Sequence, residues 1–126
     1  MSKNKGIKKD DVFDYDTFND SLFIHTSGMK YKHSIDFGDI ILDIGEDNSI
    51  TGLEVLSASR VFGITKYDVR NIKNMEATLK VSPESINLEV HAHISKRNSK
   101  ISRIAMASDA NYTDLPVGSE SMAVSA

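Results

Sequence analysis

The stretch Ser85-Ile86-Asn87-Leu88-Glu89-Val90-His91-Ala92-His93-Ile94-Ser95 decides the fold class. Apolar and polar residues alternate without a break. In an extended chain successive side chains point to opposite faces, so Ile86, Leu88, Val90, Ala92 and Ile94 form one row. Asn87, Glu89, His91, His93 and Ser95 form the other. A strand with one apolar and one polar face belongs to an antiparallel sheet that is wet on one side.

The same period runs on both sides of this strand. Upstream, Met75, Ala77, Leu79 and Val81 alternate with Glu76, Thr78, Lys80 and Ser82, and Pro83-Glu84 makes the turn. Downstream, Lys96-Arg97-Asn98-Ser99-Lys100 is a basic loop leading to a strand at Ile101–Ala107. Nearer the N-terminus, Ser21–His25, Ser34–Phe37, Asp39–Ile44 and Ile50–Leu56 read as strands, with Asp11–Tyr15 as a further partner. Gly38 interrupts one run, and Gly45–Ser49 is a hairpin turn in which Asn48 takes positive φ at low cost. Thr65, with Asp68 three residues on, is an N-cap signal for a short helix over Lys66–Ile72. A helical turn at Ser57–Phe62 precedes it, and Gly63 separates the two. These separations are too short for parallel crossovers. The expected fold is α+β and β-rich: a mostly antiparallel sheet of about seven strands with one or two short helices in the middle.

The 126 residues fit one domain, expected over residues 10–108. Residues 10–59 form its first part, and residues 60–108 a helix plus a three-strand meander. Residues 1–9 read as a disordered basic arm, and the Ser/Ala/Gly-containing residues 109–126 as a flexible tail. The absence of cysteine excludes disulfides, zinc–thiolate sites and cysteine nucleophiles, and fits a cytoplasmic location. No secretory signal or membrane-length apolar run is present, so no membrane partner is expected. Charge is polarised along the chain. Residues 10–54 hold eleven acids against two lysines, and residues 60–103 hold nine bases against four acids.

Three surfaces qualify as candidate sites. Glu89, His91 and His93 share a strand face, with adjacent residues about 6.5–7 Å apart, so two imidazoles could reach one metal ion. Lys96, Arg97, Lys100 and Arg103 cluster around one loop and suit an anion or nucleic acid. No aromatic falls in residues 68–110 to stack a base, so nucleic-acid binding is the weaker expectation. The apolar row containing Leu88 and Val90 offers an assembly face. Aromatics concentrate in the first half, where most are expected in the core. Asp14, Asp16 and Asp20 lack calcium-loop spacing and read as turn-holding acids. No phosphate loop, Gly-x-Ser-x-Gly or similar nucleophile motif occurs, so neither an enzyme nor a cofactor is expected.

Residues 15–59 resemble the domain-of-unknown-function family 2283. The likeness rests on Tyr15-Asp16, Asp20-Ser21-Leu22-Phe23-Ile24, Asp39-Ile40-Ile41-Leu42-Asp43 and Gly52-Leu53-Glu54-Val55-Leu56-Ser57-Ala58-Ser59, in that order. Family members tend to carry glycine in the hairpin turn where this chain has Asn48. The resemblance implies no catalytic activity. Some relatives are encoded beside small toxin-like proteins, which implies partner binding. The combined expectation is a cytoplasmic, non-enzymatic module that forms a homo-oligomer or binds a protein partner.

Overall fold

Nine strands and two five-residue helices follow one another in a computed structural model that describes residues 12–26, 30–97, 99–112 and 114–125. The expected basic arm at residues 1–9 lies outside the described residues. The elements are β1 (Val12–Asp16), β2 (Ser21–His25), β3 (Tyr31–Asp36), β4 (Ile40–Gly45), β5 (Ile50–Val55), α1 (Ala58–Phe62), α2 (Lys66–Arg70), β6 (Ile72–Val81), β7 (Ser85–Lys96), β8 (Ser99–Ala110) and β9 (Gly118–Ser125). They form two antiparallel sheets. The first has five strands in the order β1-β2-β5-β4-β3, and the second four in the order β8-β7-β6-β9.

The apolar rows of both sheets face each other across one aliphatic core. Leu22, Ile24, Leu42 and Leu53 come from the first sheet, and Met75, Leu79, Leu88 and Ile94 from the second, all essentially without exposure. The halves therefore cover one another, which is how an amphipathic sheet is stabilised without a helical layer. Aromatics contribute less than expected. Phe62 is buried, but Phe18, Tyr31, Tyr67 and Tyr112 are exposed, and Phe23 is on the outer face. β-Branched and Leu side chains interdigitate within the narrow inter-sheet space, and the larger rings lie at its margin.

Local chemistry sets the connections. Asn48 adopts φ 67° in the β4–β5 turn, and Gly38 adopts φ 100° before β4. Thr65 caps α2 by accepting the Asp68 N–H at 3.0 Å, and Gly63 ends α1 in the left-handed region. Gly52 sits in the central strand β5, opposite His25 on one side and Asp43 on the other. A Cβ there would lie 2.8 Å from Asp43 Oδ2 and 3.3 Å from the Ile24 carbonyl oxygen. Absence of a side chain lets the Asp43 carboxylate accept the Ser34 hydroxyl at 2.7 Å.

The Tyr15-Asp16…Asp20 segment is a polar lock. Asp16 accepts the Asn19 N–H, and its pKa is lowered chiefly by the Asn19 hydrogen bonds. Asp20 takes φ 55° and accepts Tyr15 Oη at 2.6 Å and Ser59 Oγ at 2.6 Å, with the Ser59 N–H at 3.1 Å. The β1–β2 turn is thereby fastened to the start of α1. Partial burial opposes ionisation of Asp20, but the bonds from Ser59 and Tyr15 outweigh it and hold the carboxyl below its usual range. Burial and the neighbouring Asp20 carboxylate push the Tyr15 phenol well above its ordinary value.

Two expectations are corrected. Among the described residues the strands number nine rather than about seven, and the stretch expected as a flexible tail, residues 109–126, contains β9. Gly118–Ser125 pairs with β6 along its length, from Val81↔Gly118 to Asn74↔Ser125. Leu115, Met122 and Val124 enter the core. Asn111 holds the entry, donating to the carbonyls of Ser82 and Leu115 and accepting the Leu115 N–H. Three buried apolar side chains and a paired backbone offset the ordering entropy that small polar residues otherwise leave uncompensated.

Candidate functional site

Strand alternation places Glu89, His91 and His93 on the outer face of the second sheet. They do not converge. His91 Nε2 lies 3.2 Å from Glu89 Oε1, whereas His93 Nε2 meets Glu76 Oε1 at 3.4 Å and its Nδ1 meets Ser102 Oγ at 3.2 Å. Two separate pairs result. Among the described residues no group of three His, Cys, Asp or Glu side chains is arranged to hold a metal ion. His25 stacks on Phe23 in the other sheet, at 6.2 Å between ring centroids. His33 lies on β3, its Nε2 buried without a hydrogen-bond partner.

The four basic residues are dispersed rather than gathered. Lys96 turns toward α2, where its Nζ lies 3.3 Å from Asp68 Oδ1. Burial works against the Asp68 carboxylate, but Lys96 and the Thr65 hydrogen bonds prevail, and its pKa is lowered. Arg97 occupies the tight β7–β8 turn at φ 36°. Lys100 and Arg103, an odd number of positions apart on β8, point to opposite faces. Arg103 donates to the adjacent Ser102 carbonyl at 3.1 Å.

The proposed assembly face is corrected. Leu88 and Val90 are 1% and 0% exposed, packed between the sheets, and so are unavailable to a second chain. The apolar row that covers β7 comes from the same chain.

The open surface lies one strand further out. β8 pairs with β7 through twelve consecutive residues, Lys96↔Ser99 to Ser85↔Ala110, without a bulge. The Asn111 N–H donates to the Glu84 carbonyl at 3.0 Å, which sets the hydrogen-bonding phase. Odd-numbered residues of β8 thus direct N–H and C=O to β7, and even-numbered residues direct theirs to the open side. Among the described residues, the backbone groups of Lys100, Ser102, Ile104, Met106 and Ser108 have no backbone partner on that side. Ile104 and Met106, in mid-strand, are 54% and 70% exposed. An open groove of about 360 Å³ runs beside them, bordered by Phe37, Asp39, Arg60 and Val61. The other edges are shorter. β1 has five residues, β3 has six and a register shift, and β9 has eight.

The exposed apolar pair, though not the edge itself, was signalled by Ile101-Ser102-Arg103-Ile104-Ala105-Met106-Ala107, which is apolar on both faces. One-face alternation accounts for Ile101, Ala105 and Ala107 and leaves Ile104 and Met106 on the wet side.

These features define a two-sheet antiparallel β domain with one long edge strand whose open-side backbone lacks a strand partner among the described residues. Residues 13–59, a segment of the chain, match the family model of DUF2283, proteins of unknown function. The chain is 44% identical over 108 residues to a Methanosarcina mazei protein named "Putative hypoxanthine phosphoribosyltransferase", covering 86% of this chain and 88% of that protein. It is 32% identical over 106 residues to an uncharacterised Methanocaldococcus jannaschii protein, covering 83% of this chain and 91% of that one. Both alignments are too long for the 13–59 segment alone, so they extend into the second sheet. No solved structure matches. Among the described residues, no helix is long and apolar enough to cross a membrane.

Proposed function

We propose that this protein is a non-enzymatic, self-associating interaction module that uses β8 as its binding edge. The observation that carries this reading is the twelve-residue, bulge-free edge strand with Ile104 and Met106 exposed at its centre. β8 carries Lys100 and Arg103 but neither proline nor bulge, and a long edge strand whose backbone lacks a partner invites strand addition. The cysteine-free composition supports work in a reducing compartment, the cytoplasm.

The transferase name of the Methanosarcina relative suggests a different class. Phosphate handling by backbone relies on a glycine-rich loop and the N-terminus of a substantial helix. Here both helices have five residues, and the sheets are antiparallel throughout. The geometry therefore favours binding over group transfer.

Light scattering on the purified chain, with calorimetric titration of phosphoribosyl diphosphate on the same fraction, separates the two. The interaction reading expects an oligomer that an Ile104→Lys, Met106→Lys double variant reduces to a monomer, and no heat with the diphosphate. A monomeric wild-type chain that binds phosphoribosyl diphosphate overturns it.

A further inference from the structure

The geometry points to a second copy of this chain as the occupant of the β8 edge, paired antiparallel about a two-fold axis at Met106, so that two four-stranded sheets become one of eight. This rests on the self-association reading above and adds its register.

Two constraints select that register. Only even-numbered residues of β8 present backbone groups to the open side, so even must face even across the axis. The axis therefore passes through a residue. Several such registers keep the strand centres together, and charge discriminates among them. Arg103 and Asp109 share the other face of β8, and neither has an ion-pair partner among the described residues. With the axis at Met106, Arg103 of each copy lies directly opposite Asp109 of the other, giving two equivalent pairs at non-hydrogen-bonded positions, where side chains approach most closely. With the axis at Ile104, Asp109 faces Ser99; with it at Ala105, Asp109 faces Ile101. Neither of these opposes unlike charges.

The apolar face agrees. Met106 meets Met106 of the second copy across the axis, and Ile104 lies diagonal to it, so the exposed centre of each strand is covered by the other. Ala105 faces Ala107 of the second copy, and these small side chains let the backbones close. An isologous contact of this kind terminates at two copies, whereas a head-to-tail one can propagate into a fibre.

The test uses the full chain and two single variants, Arg103→Asp and Asp109→Arg, in sedimentation equilibrium. Each variant places like charges opposite one another twice, and its dimer dissociation constant is expected to rise at least about tenfold. Mixing the two variants restores unlike pairs at both positions, and the mixture is expected to dimerise as tightly as wild type. A monomeric wild type overturns the register and the self-association reading together. A dimer indifferent to both substitutions overturns the register alone.

Should a variant lose its fold, Met106→Cys provides an independent readout in a chain with no native cysteine. On the axis the two Cα atoms lie about 5.5 Å apart, within the span of a disulfide, and oxidation is expected to give a covalent dimer. Ser102→Cys places the two thiols at sites separated by roughly 27 Å along the strands and is expected to stay monomeric on denaturing gels. Equal cross-linking by both overturns the register.

Discussion

Replacing Asp20 with Asn isolates the lock that ties the first hairpin to α1. Asn keeps the shape and tolerates the φ of 55°, so backbone strain is not introduced. It removes the charge that receives the Tyr15 hydroxyl and the Ser59 hydroxyl, both at 2.6 Å, and the Ser59 N–H. Each charge-assisted bond is worth about 1.5–3 kcal/mol. The amide can still accept part of the set, and solvent reaches this site, which discounts the loss toward about 2 kcal/mol in all. For a domain of this size that is a fall in Tm of roughly 8 °C, read by circular dichroism at neutral pH. The pH dependence supplies a second check. The folded pKa of Asp20 lies below its unfolded value, so its stabilisation is present above about pH 4 and is lost as pH falls through the folded value. The gap between wild type and Asp20→Asn should therefore narrow below that pH. A variant as stable as wild type at pH 7, or a gap that persists unchanged in acid, refutes the reasoning.

Other perturbations test the core and its exceptions. Leu88→Ala should cost about 2–5 kcal/mol in urea unfolding while leaving native mass unaltered, because the side chain fills the inter-sheet core. Gly52→Ala should cost about 1–3 kcal/mol, because the new methyl meets Asp43 and the Ile24 carbonyl; an unchanged midpoint would mean that the site relaxes freely. His33→Leu should raise stability by about 1 kcal/mol by removing the unpartnered buried Nε2. His91→Ala, His93→Ala should leave the metal content of the purified protein unaltered, since the two rings engage separate carboxylates.

Much of the architecture was legible because it rests on period. The Met75–Ser95 alternation marks β6 and β7 and names the residues that line the core. Thr65, Gly63, Gly38 and Asn48 locate caps and turns because each residue type answers a specific backbone need. The DUF2283 segment was likewise readable from ordered short motifs, and Gly52 and Asp20 now have physical reasons.

What failed depends on tertiary context. Met122 and Val124 alternate over too few residues, in a Ser/Ala-rich setting, to announce a strand; β6 supplies the template that orders them. The row containing Leu88 and Val90 was identified as apolar, yet periodicity cannot say whether its cover comes from the same chain or another. Likewise, sequence proximity gathers Lys96, Arg97, Lys100 and Arg103 around a loop, while the hairpin sends them in different directions. An edge strand is defined by which neighbour it lacks, a property of sheet order that no local pattern contains.

The account is tested most directly by amide hydrogen exchange along β8 in wild type and in Arg103→Asp. In wild type it predicts slow exchange at both the odd amides of Ile101, Arg103, Ala105 and Ala107, held by β7, and the even amides of Ser102, Ile104, Met106 and Ser108, held by a second copy. In Arg103→Asp only the even set should accelerate. Fast exchange of the even set in wild type, beside a protected odd set, would contradict it.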